Sequence, residues 1–309
     1  DSGGVTTHMM TLAEGLQRNG WEVALISAGT HGEHGKSPKW FEQHGIQHFT
    51  LPFDSRNPFV LLAQVVRTLR IIKRFDPDLL HVHWRITSTY AWIAQEVLGV
   101  PFVSTLHLLG IGEGRFHQLF SHWGKRTIAI SSECLGYLEK EFDLPADQID
   151  LIFNGADAQH FRLPTDQERE SARHSFKVAA ETCVISLTGR LEAVKGHDLL
   201  LRAVAPLLEQ GLAITVLFAG EGSRHEALQT LVDELGLHED VHFLGHTDPR
   251  QVLWASDISV LPSNKEGFPL STVESMLCGV PTIRTNTSGA ADVITDSQTG
   301  FVIPVGDEQ

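Results

Sequence analysis

Short apolar runs rich in β-branched residues alternate along the whole chain with longer segments of helical period. WEVALISA, IQHFTLP, DLLHVH, PFVSTLH and RTIAISS form one series, and TCVISLTG, AITVLFAG, VHFLGH, ISVLPS, PTIRTN and GFVIPV form a second. The runs are continuous rather than alternating, as in parallel strands whose two faces are both covered. Between them lie segments such as Val5 to Asn19, where Val5, Met9, Leu12 and Leu16 share one stripe and Asn19-Gly20 reads as a stop. Strand and helix in alternation predict an α/β fold, and two series predict two doubly wound domains. After IDLIFNG the rhythm breaks into the polar stretch DAQHFRLPTDQERESARHSF, which places the domains at 1–157 and 158–309.

Composition changes this picture only at its edges. A chain of 309 residues can bury two cores, and a net charge of −14 from 24 basic and 38 acidic side chains argues against nucleic acid as a general partner. Cys134, Cys183 and Cys278 are far apart, lack CxxC spacing and sit in or beside apolar runs, so they read as buried thiols in a reducing, cytoplasmic setting. No run is long enough to span a membrane, and no signal peptide is evident. VVRTLRIIKRF, Val65 to Phe75, follows Asn57-Pro58 as a basic amphipathic helix. A core-facing stripe with a solvated basic face is the favoured reading, and peripheral membrane contact the other.

Ligands of open parallel sheets gather beyond the carboxyl ends of strands, so residues following each strand are the candidates. DSGGVTTH places Gly3 and Gly4 before a helix N-terminus, a site for an anion or only a tight turn. In LTGRLEAVKG, Gly189 ends a strand, Arg190 follows at once, and Lys195-Gly196 opens the next helix, so two permanent cations stand where a diphosphate could be neutralised. KEGFPLSTVESM carries Glu266 and Glu274 eight positions apart, with Gly267 and Pro269 breaking any continuous helix between them. It therefore reads as a loop with Glu266 and a helix from Leu270 with Glu274 in its first turn. Ser271 and Glu274 also fit a capping box, a purely structural role for Glu274. Glu266 is left to meet a ligand or a cation, and carboxylates are strong acceptors for sugar hydroxyls. His81 and His83 share a strand face, but without a third ligand at recognisable spacing they do not read as a metal site.

EGFPLSTVESMLCGVP resembles the donor-site signature of the retaining GT-B glycosyltransferases of family four. GRLEAVKG is similar to that family's Arg and Lys pair, and AGEG, FLGH, IFNGAD, DLLHVHW, TLH and the diglycine loop with His8 fall in its order. The resemblance implies two Rossmann-like domains facing across a cleft. It also implies transfer of a sugar from a nucleoside diphosphate sugar to a glycan, lipid-linked or small-molecule acceptor, with retention and with no cofactor or metal required. On the same ground Arg190 and Lys195 hold the diphosphate, Glu274 the ribose, Glu266 the donor sugar, and His107 stands near the reacting sugar. Gly3 and Gly4 approach the phosphates, the base rests near Gly245 and His246, and Gly189, Gly267, Phe268, Leu270 and Ser271 complete the donor loop. Front-face substitution is the implied mechanism, with Glu266 as nucleophile the other route. A nucleotide-sugar epimerase and a non-catalytic sugar-nucleotide-binding protein are the rival functions. The family pattern places one strand before Asp1 and closing helices after Gln309, so the chain reads as a fragment, expected to be poorly stable or weakly active alone.

Overall fold

The computed structural model describes residues 4–28, 38–51, 53, 57–110 and 121–307. The chain divides into two compact units, Asp1–Asn154 and Gly155–Gln309, and every strand pair within their sheets is parallel. The division falls within IFNGAD, where the sequence turns polar.

In the first unit α1 (Gly4–Arg18) precedes β1 (Ala24–Ser27), α2 (Pro38–Gln43) and β2 (Gln47–Thr50), and the two strands pair with each other. A second sheet holds β3 (Leu80–Val82), β4 (Phe102–Leu106), β5 (Thr127–Ala129) and β6 (Ile149–Leu151) in chain order, with α3 (Pro58–Phe75) leading into β3, α4 (Arg85–Leu98) between β3 and β4 and α5 (Ser132–Phe142) between β5 and β6. The apolar stripe expected on α1 is turned by one residue. Met10 and Ala13 are buried in a cluster with Phe41 and Ile46, while Val5, Met9, Leu12 and Leu16 each keep part of their surface.

Helix α3 keeps the expected solvated basic face, but its inward side is only partly apolar. Asn57 caps it, its side chain accepting from the Phe59 N–H at 3.0 Å. Its buried positions are Gln64, Thr68 and Ile72, spaced one helical turn apart. Gln64 is held there by the Tyr90 hydroxyl, which donates to its Oε1 at 2.9 Å. The inward side thus mixes Gln64 and Thr68, whose hydroxyl finds no hydrogen-bond partner among the described residues, with buried Ile72 and half-buried Leu61, Val65 and Leu69, while Phe59, Leu62 and Val66 are turned outward, Phe59 82% exposed. Arg67, Arg70, Lys73 and Arg74 share that exposed surface. No helix among the described residues is long and apolar enough to cross a membrane.

The second unit begins with α6 (Asp166–Ser175), closed by a full capping box between Thr165 and Glu168. Its sheet comprises β7 (Cys183–Thr188), β8 (Ile214–Ala219), β9 (Val241–Phe243), β10 (Ile258–Leu261), β11 (Thr282–Thr285) and β12 (Gly300–Ile303), in the order β12-β11-β10-β7-β8-β9, with α7 (His197–Glu209) after β7, α8 (His225–Leu235) after β8 and α9 (Pro249–Ala255) after β9. Val184, Leu187, Val216, Leu217 and Phe218 are fully buried, as strands covered on both faces require. From β7 the sheet grows one way through β8 and β9 and the other way through β10, β11 and β12. The crevice outside the carboxyl ends of β7 and β10 is therefore the topological switch point, where ligands bind in such sheets. Of the three thiols, Cys134 and Cys278 are buried and Cys183 is partly exposed, and none is bonded to another. Burial pushes the Cys278 thiol up to about 11.

Candidate active site

Gly189 follows β7 directly, and the loop it opens runs through exposed Arg190 to a 3-10 turn, Ala193–Lys195. Gly196 then begins α7 (His197–Glu209) in a left-handed conformation, φ +70°. Only glycine fits there: a Cβ would lie 2.3 Å from the carbonyl oxygen of Pro262, just beyond β10. The two loops are also tied by backbone, Asn264 N–H donating to the Val194 carbonyl at 2.8 Å. Strand order brings these loops together, and their side chains meet. Lys195 Nζ donates to Glu266 Oε1 at 2.6 Å, with the two side chains only 18% and 9% exposed. The carboxylate that the sequence left in need of a ligand or a cation has a cation, the same lysine assigned to the diphosphate.

After Glu266 the chain turns through buried Gly267, Phe268 and Pro269 into α10 (Leu270–Leu277). Phe268 packs over Gly289, where a Cβ would stand 2.7 Å from its ring, so the loop lies close to the backbone that precedes α11 (Ala290–Val293). Pro269 is the N-cap of α10 and no side chain caps the helix. This corrects two expectations. Ser271 lies inside the helix and makes no capping box with Glu274, and Glu274 is one residue past the first turn, buried at 8% exposure. Proline at the N-cap is the reason: it fixes the chain entry so that Leu270 rather than Thr272 is the first helical residue. Helix α7 likewise starts without a side-chain cap. Two helices thus begin beside the Lys195–Glu266 pair at N-cap residues, Gly196 and Pro269, that offer no side-chain cap among the described residues, an arrangement that favours anions.

Loops after β8 and β9 complete this end of the sheet. Gly220, at φ +147°, donates its N–H to the Gly245 carbonyl at 2.9 Å, and the Gly189 N–H donates to the Ala219 carbonyl at 2.9 Å. Gly245, itself left-handed at φ +61°, and exposed His246 therefore stand beside the AGEG turn. Glu192 accepts from the Ser223 N–H at 3.1 Å and hydroxyl at 2.8 Å, which clamps the β7 loop to the β8 loop. Arg190 is exposed and enters no ion pair among the described residues. Gly4 is the first residue of α1 in the other unit, and Gly3 lies outside the described residues.

His197 was not legible as a site residue. It is 1% exposed at the first position of α7, edge-on to Phe218, and neither ring nitrogen has a hydrogen-bond partner among the described residues. Burial, aided by the positive charge of Lys195, pushes its pKa down to about 4. An imidazole held neutral in the fold but with an ordinary value near 6.5 when unfolded contributes stability that is complete above about pH 6.5. That stability is lost as pH falls toward 4, because the unfolded chain takes up the proton first. Across that window the loss amounts to about 3 kcal/mol. We expect His197→Leu to flatten the fall of melting temperature between pH 7 and 5. A parallel fall in variant and parent would show that other groups govern acid lability.

In the first unit His107 follows β4 and His83 follows β3, and His83 Nδ1 lies 3.0 Å from His107 Nε2. His8 reaches them from α1, its ring centroid 5.1 Å from that of His107 and 5.6 Å from that of His83. His81 lies 4.2 Å from His83 ring to ring, as their shared strand face requires, and its Nε2 is 2.8 Å from Thr105 Oγ1. The histidine pair noted in the sequence therefore does acquire further nitrogens, supplied by elements distant in the chain. Burial and mutual repulsion keep these rings neutral, pushing His81 to about 4, His107 to about 3 and His83 to about 2.

Comparison with known proteins follows the same division. Residues 2–160 match the sequence model of glycosyltransferase family 4, and residues 168–309 match that of glycosyl transferases group 1. A D-inositol 3-phosphate glycosyltransferase of Corynebacterium jeikeium is 26% identical, over 98% of this chain and 80% of that protein. Among solved structures, a glycosyltransferase from Rickettsia africae has a TM-score of 0.85 at 24% identity, covering 99% of this chain and 82% of that one. Anabaena HepE in complex with UDP has a TM-score of 0.84 at 22% identity, covering 100% and 84%. The same protein in complex with UDP-glucose has a TM-score of 0.83 at 21% identity, again covering 100% and 84%. The α/β architecture with parallel sheets is that of GT-B glycosyltransferases.

Proposed function

Because the chain belongs to glycosyltransferase family 4, and is a transferase, we propose that it moves a sugar from a nucleoside diphosphate sugar to an acceptor hydroxyl with retention. The observation that carries this reading is the Lys195–Glu266 pair at the switch point of an all-parallel sheet, beside two helices that begin without side-chain caps. In this reading Lys195 and Arg190 take the diphosphate, joined by N–H groups near Leu270 and Ser271. Glu274 takes the ribose and the base rests near Gly245 and His246. Glu266 accepts from donor-sugar hydroxyls, and Lys195 holds its oxygen in place for that task. His107, a neutral imidazole, hydrogen-bonds a sugar hydroxyl.

The bond from the anomeric carbon to the β-phosphate oxygen breaks, and the acceptor oxygen bonds to that carbon from the same face. The acceptor proton passes to the departing diphosphate. Negative charge grows on the leaving oxygens as this happens, so fixed cations and N–H dipoles contribute more in the transition state than in the ground state. No metal is needed at the diphosphate when two side chains supply the positive charge. Glu266, engaged by Lys195, acts as an acceptor rather than a nucleophile.

HepE's complexes with UDP and UDP-glucose make uridine diphosphate sugars the first donors to try. A donor present at a hundred times its dissociation constant stabilises the fold by about 2.7 kcal/mol, a readily measured rise in melting temperature. We expect one nucleotide sugar from a panel to give that rise, and diphosphate release to require an added acceptor. Release with donor alone would favour an epimerase, and binding without release a non-catalytic protein. No shift with any nucleotide sugar would refute the donor assignment.

The outward face of α3 extends the reading to a lipid-linked acceptor. Phe59 and Leu62 protrude there, and over its length the helix carries four cations and no carboxylate in a chain of net charge −14. That combination is complementary to an anionic bilayer surface. Co-sedimentation with phosphatidylglycerol vesicles is expected, weakened by salt and by Phe59→Ser with Leu62→Ser. Equal sedimentation with neutral vesicles, or none, would remove membrane contact from the reading.

A further inference from the structure

His83 stands one residue past β3 and His107 one residue past β4, two strands that pair in parallel, so both rings project at the same end of the sheet. His83 Nδ1 lies 3.0 Å from His107 Nε2. The ring centroids are 5.3 Å apart, which is that separation plus one ring radius at each end, and the rings are tilted by only 26°. The two nitrogens therefore lie on the line between the rings, where the N–H of one meets the lone pair of the other. We infer that His83 is a positioning residue for the transfer: its Nδ1 accepts from the Nε2–H of His107 and so fixes the tautomer in which His107 Nδ1 turns a lone pair to a hydroxyl of the donor sugar. This role rests on the sugar-transfer reading, in which His107 hydrogen-bonds a sugar hydroxyl, and adds to it which nitrogen makes that bond and which residue selects the tautomer.

A neutral imidazole has one N–H and one lone pair, so engaging Nε2 leaves Nδ1 for the substrate and sets what Nδ1 carries. Were His83 the donor, His107 would hold its proton on Nδ1 and donate to the sugar. The chemistry of transfer favours the opposite sense. As the bond to the diphosphate breaks, the sugar gains positive charge, its hydroxyls become better donors and poorer acceptors, and the hydrogen bonds they donate strengthen. A lone pair on Nδ1 therefore gains toward the transition state, where an N–H would lose.

No neighbouring ring competes for His107. His81 has its Nε2 2.8 Å from Thr105 Oγ1. His8 packs edge-on against both rings, 5.1 Å from His107 and 5.6 Å from His83 between centroids, and hydrogen-bonds neither among the described residues. Burial holds His83 and His107 neutral, and only other histidines act electrostatically on them. With no carboxylate to draw a second proton onto His107, the choice left to His83 is the tautomer and not the charge.

Nitrogen-15 NMR of the full chain labelled at its histidines reads the tautomer directly, without turnover. The His107 signals, identified by their loss in His107→Gln, should show Nε2 protonated and Nδ1 bare, with the Nε2 proton protected from exchange with water. A proton on Nδ1, or an even mixture of the two forms, in the parent protein overturns the inference whatever the variants do. His83→Leu should expose that proton to exchange, bring in the Nδ1–H form, and lower kcat about 10-fold with little change in KM for the donor. His83→Asn, whose side-chain oxygen can stand where Nδ1 stood, should restore most of the tautomer and of the rate. Circular dichroism confirms that each variant is folded. Unchanged His107 signals in both variants mean that His83 only packs against its neighbour, and equal losses of rate in the two mean a structural role. Failure of the transfer reading would show elsewhere, as no rise in melting temperature with any nucleotide sugar, a measurement independent of the His107 spectrum.

Discussion

Lys195→Ala is expected to lower kcat/KM by about 10²–10³, or about 3–4 kcal/mol of transition-state stabilisation, with a smaller effect on binding of the intact donor. The asymmetry follows from timing. The lysine meets a diphosphate already charged in the ground state, and gains most as the glycosidic bond breaks and further charge collects on the leaving oxygens. Its pairing with Glu266 adds a second consequence. Removing the ammonium leaves a carboxylate that is 9% exposed without its cation, so the variant should lose stability as well as rate. Glu266→Gln alone should cost less, because the amide still accepts from Lys195 and from a hydroxyl. The double variant should be nearly as slow as Lys195→Ala, since both changes break one unit. Steady-state kinetics on the two single variants and the double variant decide this. Additive losses would mean that the two residues act independently, and unchanged rates would remove Lys195 from the reaction.

Gly196→Ala should be as damaging although it removes no chemical group. A Cβ at that position meets a backbone carbonyl, that of Pro262, at 2.3 Å, and neither loop can yield without parting from the other. Left-handed geometry at φ +70° adds its own cost for any side chain, so the sum is about 2–4 kcal/mol of destabilisation. The strain falls on the joint that brings Lys195 to Glu266, and donor affinity should fall along with the denaturation midpoint. Gly211→Ala supplies the comparison. Its φ of +85° is similar and a Cβ there meets nothing within 4 Å, so only the conformational penalty remains. Equal losses at the two positions would show that contact with Pro262 is unimportant.

Much of the second unit was legible because its signals are local. Every strand expected there formed, and Gly189, Lys195 and Gly196 fell at the strand end and helix start where the pattern put them. Local reading failed where neighbours in space overrode it. Helix α3 has the period of a core helix, yet Tyr90 holds Gln64 inward beside Ile72, and Phe59, Leu62 and Val66 stay exposed. Ser271 and Glu274 have capping-box spacing, yet Pro269 sets the helix start earlier. His83 was legible only as one half of a strand-face pair, because its partners lie on α1 and β4, with His107 24 residues away. Nothing in the stretch KGHD signals that His197 is buried with neither ring nitrogen hydrogen-bonded among the described residues.

By itself the sequence determined the two α/β series, their parallel strands, and the motifs by which the family was identified, since apolar period and residue spacing act over a few neighbouring positions. Only the tertiary structure decided that the lysine after β7 grips the glutamate after β10, and that imidazoles from a helix and two strand ends converge. Those contacts depend on the lateral order of strands in a sheet. That order is set by the packing of whole elements against one another, and no short stretch of residues encodes it.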